Sequence, residues 1–183
     1  MGNWTFDQVI VIDLESTCWD KPEEQATNVS EIIEIGVCIL DVLTGEIRNP
    51  RGLIVKPIAS KISPFCTELT SIDDDMIKRE GMKFEDAINI LKKDYGVSRK
   101  IMGGYGNYDK HMLSIECQRQ NIKVPFGPTY LNISAMATLK LKANKRLGLK
   151  KACNIFGLEF EGRAHRGVDD AVMAAKILWE CIK

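Results

Sequence analysis

Long apolar runs are missing from this 183-residue sequence. None approaches the roughly 20 residues that cross a bilayer, which argues against a membrane-spanning helix and against a membrane partner. Paired cysteines are missing too. Cys18, Cys38, Cys66, Cys117, Cys153 and Cys181 are spread along the chain with no Cys-x-x-Cys spacing. That excludes the dense disulfide framework of a small secreted domain and the sulfur-rich zinc site, and the expected state is reduced thiols in a cytoplasm. The opening residues "MGNWTFDQ" lack the basic and apolar regions of a secretion leader. They also miss a myristoylation signal, because Phe6 stands where Ser or Thr is needed. The Asn-x-Ser/Thr sequons at Asn3, Asn28 and Asn132 are therefore expected to carry no meaning. No repeat, low-complexity tract or linker divides the chain, so residues 1–183 read as one domain with a sizeable core.

Net charge is also missing, with 25 Lys and Arg against 25 Asp and Glu, but the charge is unevenly placed. Residues 1–50 carry ten acids against Lys21 and Arg48, and residues 140–166 carry eight Lys or Arg against Glu159 and Glu161. Such asymmetry fits one face that gathers cations and another that meets phosphates.

What is present is a pattern of short apolar runs and periodic segments. Val9–Glu15, Glu31–Asp41 and Glu46–Lys56 read as strands, the last two joined as a hairpin through "VLTG". Pro50 and Gly52 demote the third to a bulged or edge strand. Thr70, Ser71 or Asp73 can cap a helix start, and Phe84, Ala87, Ile88 and Leu91 mark an amphipathic helix ending near Gly96. "KIMGGYG" is a short strand, a helix follows over about Asp109–Gln120, and "PTYLNIS" is a fifth strand candidate. Helices are expected over Ser134–Lys142, Leu147–Phe156 and Val168–Ile182. A meander of three strands followed by alternation with helices predicts an α/β sheet of mixed direction.

Three stretches carry chemistry. In "VIVIDLESTCWD", Asp13 and Glu15 are two apart on a strand, so they leave one face of it. Two carboxylates on one face repel unless a cation lies between them, and Mg²⁺ suits such oxygen ligands. The competing reading is a pair of strand-end acids facing solvent or a lysine. In "AHRGVDDAVMAAKIL", His165 precedes a helix that opens with Asp169 and Asp170. Asp169 is expected to cap that helix. Asp170 lies beside the stripe of Val168, Ala171, Val172, Ala175 and Leu178, from which it can reach a sheet edge. In "GGYGNYDKHML" the glycines form no phosphate loop, since the Gly-Lys-Ser/Thr ending is absent. They let the strand turn tightly before Asp109, while His111 reads as a surface helix residue.

Together these stretches resemble the DEDD superfamily of 3′→5′ exonucleases in its histidine-bearing branch. The matches are Asp13-Leu14-Glu15, then Asp109 ahead of a helix, then His165 to Asp170 as His-x-x-x-x-Asp. "VIDLESTCW", "KISPFCTELTSI", "GNYDKHML" and "HRGVDDA" are similar to the group of histone-mRNA 3′-exonucleases and KapD-type sporulation inhibitors. The resemblance covers nearly the whole chain as a bare catalytic domain, without the appended nucleic-acid-binding domain of some relatives. It implies a ribonuclease H-like fold, a five-stranded mixed sheet flanked by helices. It also implies that Asp13, Glu15, Asp109 and Asp170 hold two Mg²⁺ or Mn²⁺ ions, with Asp13 bridging and Asp109 acting through water, and that His165 is the general base. The implied reaction removes 5′-mononucleotides from the 3′ end of single-stranded RNA. By the same resemblance Phe65 and Tyr108 stack the terminal base, and backbone groups around Leu14–Thr17 contact its sugar. Tyr108 replaces the tryptophan of some relatives, and Phe65 reads equally as a core aromatic under a loop.

The run "KLKANKRLGLKK" holds six basic residues in twelve. It reads as a solvated helix face or, with Lys145 and Arg146, as a phosphate track for a single strand. Single-stranded DNA as substrate, or a catalytically silent nucleic-acid-binding domain of the same fold, are the alternatives.

Overall fold

The β-branched and apolar residues of Gln8–Ser16 form the central strand β1 of the computed structural model, which describes residues 6–183. The readings made on residues 1–5, the Asn3 sequon among them, lie outside that range. Val9, Ile10, Val11, Ile12 and Leu14 are all buried, because helices cover both faces of the strand. Strand β2 (Ile32–Asp41) runs antiparallel to β1, and β3 (Ile47–Ile54) antiparallel to β2. On the other side, β4 (Ile101–Gly104) and β5 (Tyr130–Asn132) are added in parallel, giving the order β3-β2-β1-β4-β5. The mixed five-stranded sheet expected from the sequence is thus formed, with β3 at its edge. The bulge sits at Asn49 and Pro50, opposite Cys38: Asn49 has a positive φ of 55°, and Pro50 has no N–H to offer the ladder.

The pleat divides the core in two. Ile10, Ile12 and Leu14 face a layer built from α4 (Phe84–Ile90), the π-helical turn Leu91–Tyr95 that ends it, and α5 (Tyr108–Arg119). Val9 and Val11 face α6 (Ile133–Lys140), α7 (Leu149–Phe156) and α8 (Gly167–Ile182). Ala171, Ala174 and Ala175 are fully buried on α8, and side chains that small let the helix settle close to the sheet. At its first turn the approach is backbone to backbone. A Cβ at Gly36 of β2 would overlap the Gly167 backbone, and one at Gly167 would press on the Asp13 carbonyl.

Three short helices precede α4. α3 (Asp74–Glu80) is capped as expected, the Asp73 Oδ1 accepting the Met76 N–H at 2.7 Å. α1 (Pro22–Thr27) and α2 (Pro64–Thr70) were not foreseen. α1 buries no residue and so leaves no apolar period to read, and α2 is a seven-residue helix started by the Ser63 cap and Pro64. Among the described residues no helix is long and apolar enough to cross a membrane, and Cys18, Cys38, Cys66, Cys117, Cys153 and Cys181 are all free thiols.

Candidate active site

Alternation along β1 points Asp13 and Glu15 to the same side as Val9 and Val11, which is the side covered by α8. Leu14 points the other way into the core. Its backbone N–H donates to Asp109 Oδ1 at 3.1 Å, tying the first turn of α5 to the middle of β1. Gly104, at the end of β4, makes this possible: a Cβ there would crowd Asp109 Oδ2 and the Tyr130 hydroxyl. From the third direction comes α8, whose first turn delivers Asp170. Asp13, Glu15, Asp109, Asp170 and His165 therefore line one cavity of about 450 Å³, whose wall also includes Leu14, Tyr105, Tyr108, Lys150, Lys151 and Ala164.

The electrostatics are those of crowded, poorly solvated acids. Desolvation, then the carboxylates of Asp109, Asp170, Glu15 and Glu34, push the half-buried Asp13 carboxyl well above its usual range. Burial first, then Asp170 and Glu34, raise Glu15 to about 8. Burial raises Asp109 and Asp170 to about 6, against the lowering effect of the Leu14 N–H on the first and the His165 N–H on the second. Glu15, His165 and Asp170 each offer a ligand atom within 4.8 Å of the others. Hard divalent cations take such oxygen ligands, and bringing one here would relieve the repulsion that the protons otherwise relieve. The residues present fit the expected metal.

Buried acids elsewhere are explained locally. Glu31 accepts the N–H groups of Ile58, Ala59 and Ser60, and Glu116 accepts Arg119 and Gln120 side chains.

The remaining expected residues divide. Tyr108 is 53% exposed at the cavity wall, and Phe65, 36% exposed, faces an adjoining recess that shares Ala164 and His165 with the main cavity. Thr17 stands apart: it is fully buried, its hydroxyl accepts the Glu31 N–H and donates to the Val29 carbonyl, and it does not line the cavity. Lys145 is exposed and lines none of the cavity wall. Arg146 is bound to its own chain, donating to Ser134 Oγ and to the Tyr105 carbonyl, each at 3.0 Å. The lysines at the cavity are Lys150 and Lys151, in the first turn of α7. They belong to the basic run already noted, but only the start of α7 after Gly148 turns them towards the acids. Asp169 does not cap α8. The helix begins two residues earlier, with Arg166 at its N-cap, and Asp169 Oδ2 instead accepts the Arg163 N–H at 2.8 Å, closing the preceding loop. His111 is exposed, as expected.

Comparison with known proteins bears on the family and the fold. The chain is 33% identical over 198 residues to "ERI1 exoribonuclease 2" of Xenopus laevis, covering 94% of this chain and 28% of that protein. It is 30% identical over 182 residues to "3'-5' exoribonuclease 1" of Homo sapiens, covering 94% of this chain and 51% of that protein. The chain thus spans about a quarter to a half of the length of these relatives. The crystal structure of the nuclease domain of 3'hExo, a DEDDh family member bound to rAMP, superposes with a TM-score of 0.85 at 27% identity, covering 98% of this chain and 93% of that one. That match makes the sheet and its helices a ribonuclease H-like exonuclease fold. With the Exonuclease (RNase T) family model matching residues 10–178, the stretch that holds every acid of the cavity, the chain belongs to the Exonuclease family.

Proposed function

We propose that residues 1–183 act as one metal-dependent 3′→5′ exonuclease that releases 5′-mononucleotides from single-stranded RNA. What supports this most is that acids from β1, α5 and α8, far apart in sequence, meet an imidazole in one open cavity. In this reading Asp13, Glu15, Asp109 and Asp170 hold two Mg²⁺ or Mn²⁺ ions. Such a pair, when bound, supplies charge for the attacking and leaving oxygens of an in-line displacement and lowers the pKa of bound water.

The chain's own residues do the rest. A ring nitrogen of His165, which lines the cavity beside the acids, takes the proton of the attacking water. Phe65 and Tyr108 offer ring faces to the last bases; stacking of about 1–3 kcal/mol per base tolerates any sequence. Leu14 and the β1 backbone beside it form the floor under the terminal sugar. Lys150 and Lys151, at the cavity wall, take up phosphates of the strand, a role that one of the two readings of the basic run gives to Lys145 and Arg146. RNA is favoured because the relatives carry exoribonuclease names and the 3'hExo nuclease domain holds rAMP.

The test is a product assay on matched RNA and DNA oligomers labelled at either end, with Mg²⁺ and with EDTA. Mononucleotides should leave RNA from the 3′ end only with metal. Faster turnover of DNA would reassign the substrate, and cleavage from the 5′ end would end the reading.

A further inference from the structure

Glu34 is a charged residue with no exposed surface, and it is not one of the cavity's four acids. On β2 it lies directly across from Glu15 of β1. Its carboxylate passes over β3 at Gly52, where a Cβ would overlap Glu34 Oε1. There it meets Arg166: Nε reaches Oε2 at 3.1 Å and Nη2 reaches Oε1 at 3.3 Å, a two-pronged contact. The Gly167 N–H adds a third bond to Oε2 at 3.0 Å. The residue before Arg166 is His165, whose φ of 64° is the left-handed conformation that non-glycine residues avoid. Such a backbone persists only where its surroundings over-determine it. Three constraints meet here: the Glu34 clamp, the Asp170 Oδ2 accepting the His165 N–H at 2.9 Å, and the Arg163 carbonyl accepting the Arg166 N–H.

We infer that Glu34 and Arg166 are positioning residues, a buried carboxylate and a partly exposed guanidinium that together fix His165 over the cavity by holding the next residue to the sheet. The inference rests on the exonuclease reading for its kinetic consequence, though not for its geometry. A fully exposed ion pair would do little, but here the Glu34 carboxylate has no exposed surface while the Arg166 side chain keeps 24% of its own, and a lysine cannot reproduce the guanidinium fork.

The test uses Arg166→Lys, Glu34→Asp and their combination. Each substitution keeps the charge and shifts the head group by about an ångström, the kind of displacement that misaligned catalytic groups report as a large rate loss. For Arg166→Lys, kcat on RNA should fall about tenfold or more with KM within twofold of wild type. The double variant should be no worse than the weaker single one. With only His111 and His165 in the chain, imidazole NMR gives a second readout. The His165 resonances should move in both single variants while those of exposed His111 stay in place. Wild-type kcat together with unmoved His165 resonances would overturn the proposal, and so would losses that multiply in the double variant. If one variant does not fold, the other decides alone. If the wild-type protein does not degrade RNA, the exonuclease reading fails while the NMR comparison still judges the pair.

Discussion

In the exonuclease reading, protons and cations compete for the same four carboxylates, and the competition sets the behaviour of single side chains. Asp109 and Asp170 titrate near 6 and Glu15 near 8 in the folded protein, against about 4 in an unfolded chain. The folded state therefore binds more protons than the unfolded one between those values. The stability these groups lend is full below about pH 4 and is lost as pH rises through 6 and then 8. Melting of the metal-free protein should accordingly fall from pH 5 to pH 8.5, and saturating Mg²⁺ should remove most of that fall; a flat metal-free profile would speak against crowding. Replacing Asp170 by Asn removes one charge from the cluster. Thermal melting without metal should rise, by about 2–4 °C for each kcal/mol relieved, while turnover on RNA drops by about 10²-fold or more. A stability gained by losing a functional group marks a site held in place against its own repulsion.

Helices and strands here are placed by what their residues leave out as much as by what they contain. Gly36 admits the first turn of α8, so Gly36→Ala should push that turn from β1, lower stability by about 1–3 kcal/mol in denaturant unfolding and reduce activity with it. An alanine variant with wild-type stability would show the packing there to be loose. Tyr95, fully buried at the end of the π-helical turn, donates its hydroxyl to the Asn49 carbonyl at 2.9 Å and so pins the β3 bulge. Tyr95→Phe should cost about 1 kcal/mol in the same measurement and leave turnover unchanged. Strands β1 to β3, helix α4 with the turn that continues it, and helices α7 and α8 were legible because their apolar residues recur on a buried face. α1 was not, because it buries nothing, and α2 was too short to show a period. Asp169 misled because an acid before an apolar run looks like a cap; the true start, at Gly167, is fixed by the close approach to Gly36, which no local pattern records.

For the molecule as a whole, the sequence separates acids towards the N-terminus from bases towards the C-terminus, and the fold brings the two around one cavity. The acids were legible from spacing and from resemblance. The basic wall was legible only as a run, since which lysines face the cavity depends on where α7 begins. Substituting Lys150 and Lys151 by Ala should weaken single-strand binding and flatten its log–log salt slope by about 0.7 for each phosphate no longer neutralised, whereas the same change at Lys145 should leave the slope nearly unaltered. Glu34 and Arg166 could not be paired from sequence, because 132 positions separate them and only the sheet joins them. The most direct measurement is a crystal structure with Mn²⁺ and a 5′-mononucleotide, read by anomalous scattering. Two peaks about 3.5–4 Å apart are predicted, ligated by Asp13, Glu15, Asp109 and Asp170, with the His165 ring above them. A nucleotide bound in the cavity with no anomalous peak among those carboxylates would contradict the account.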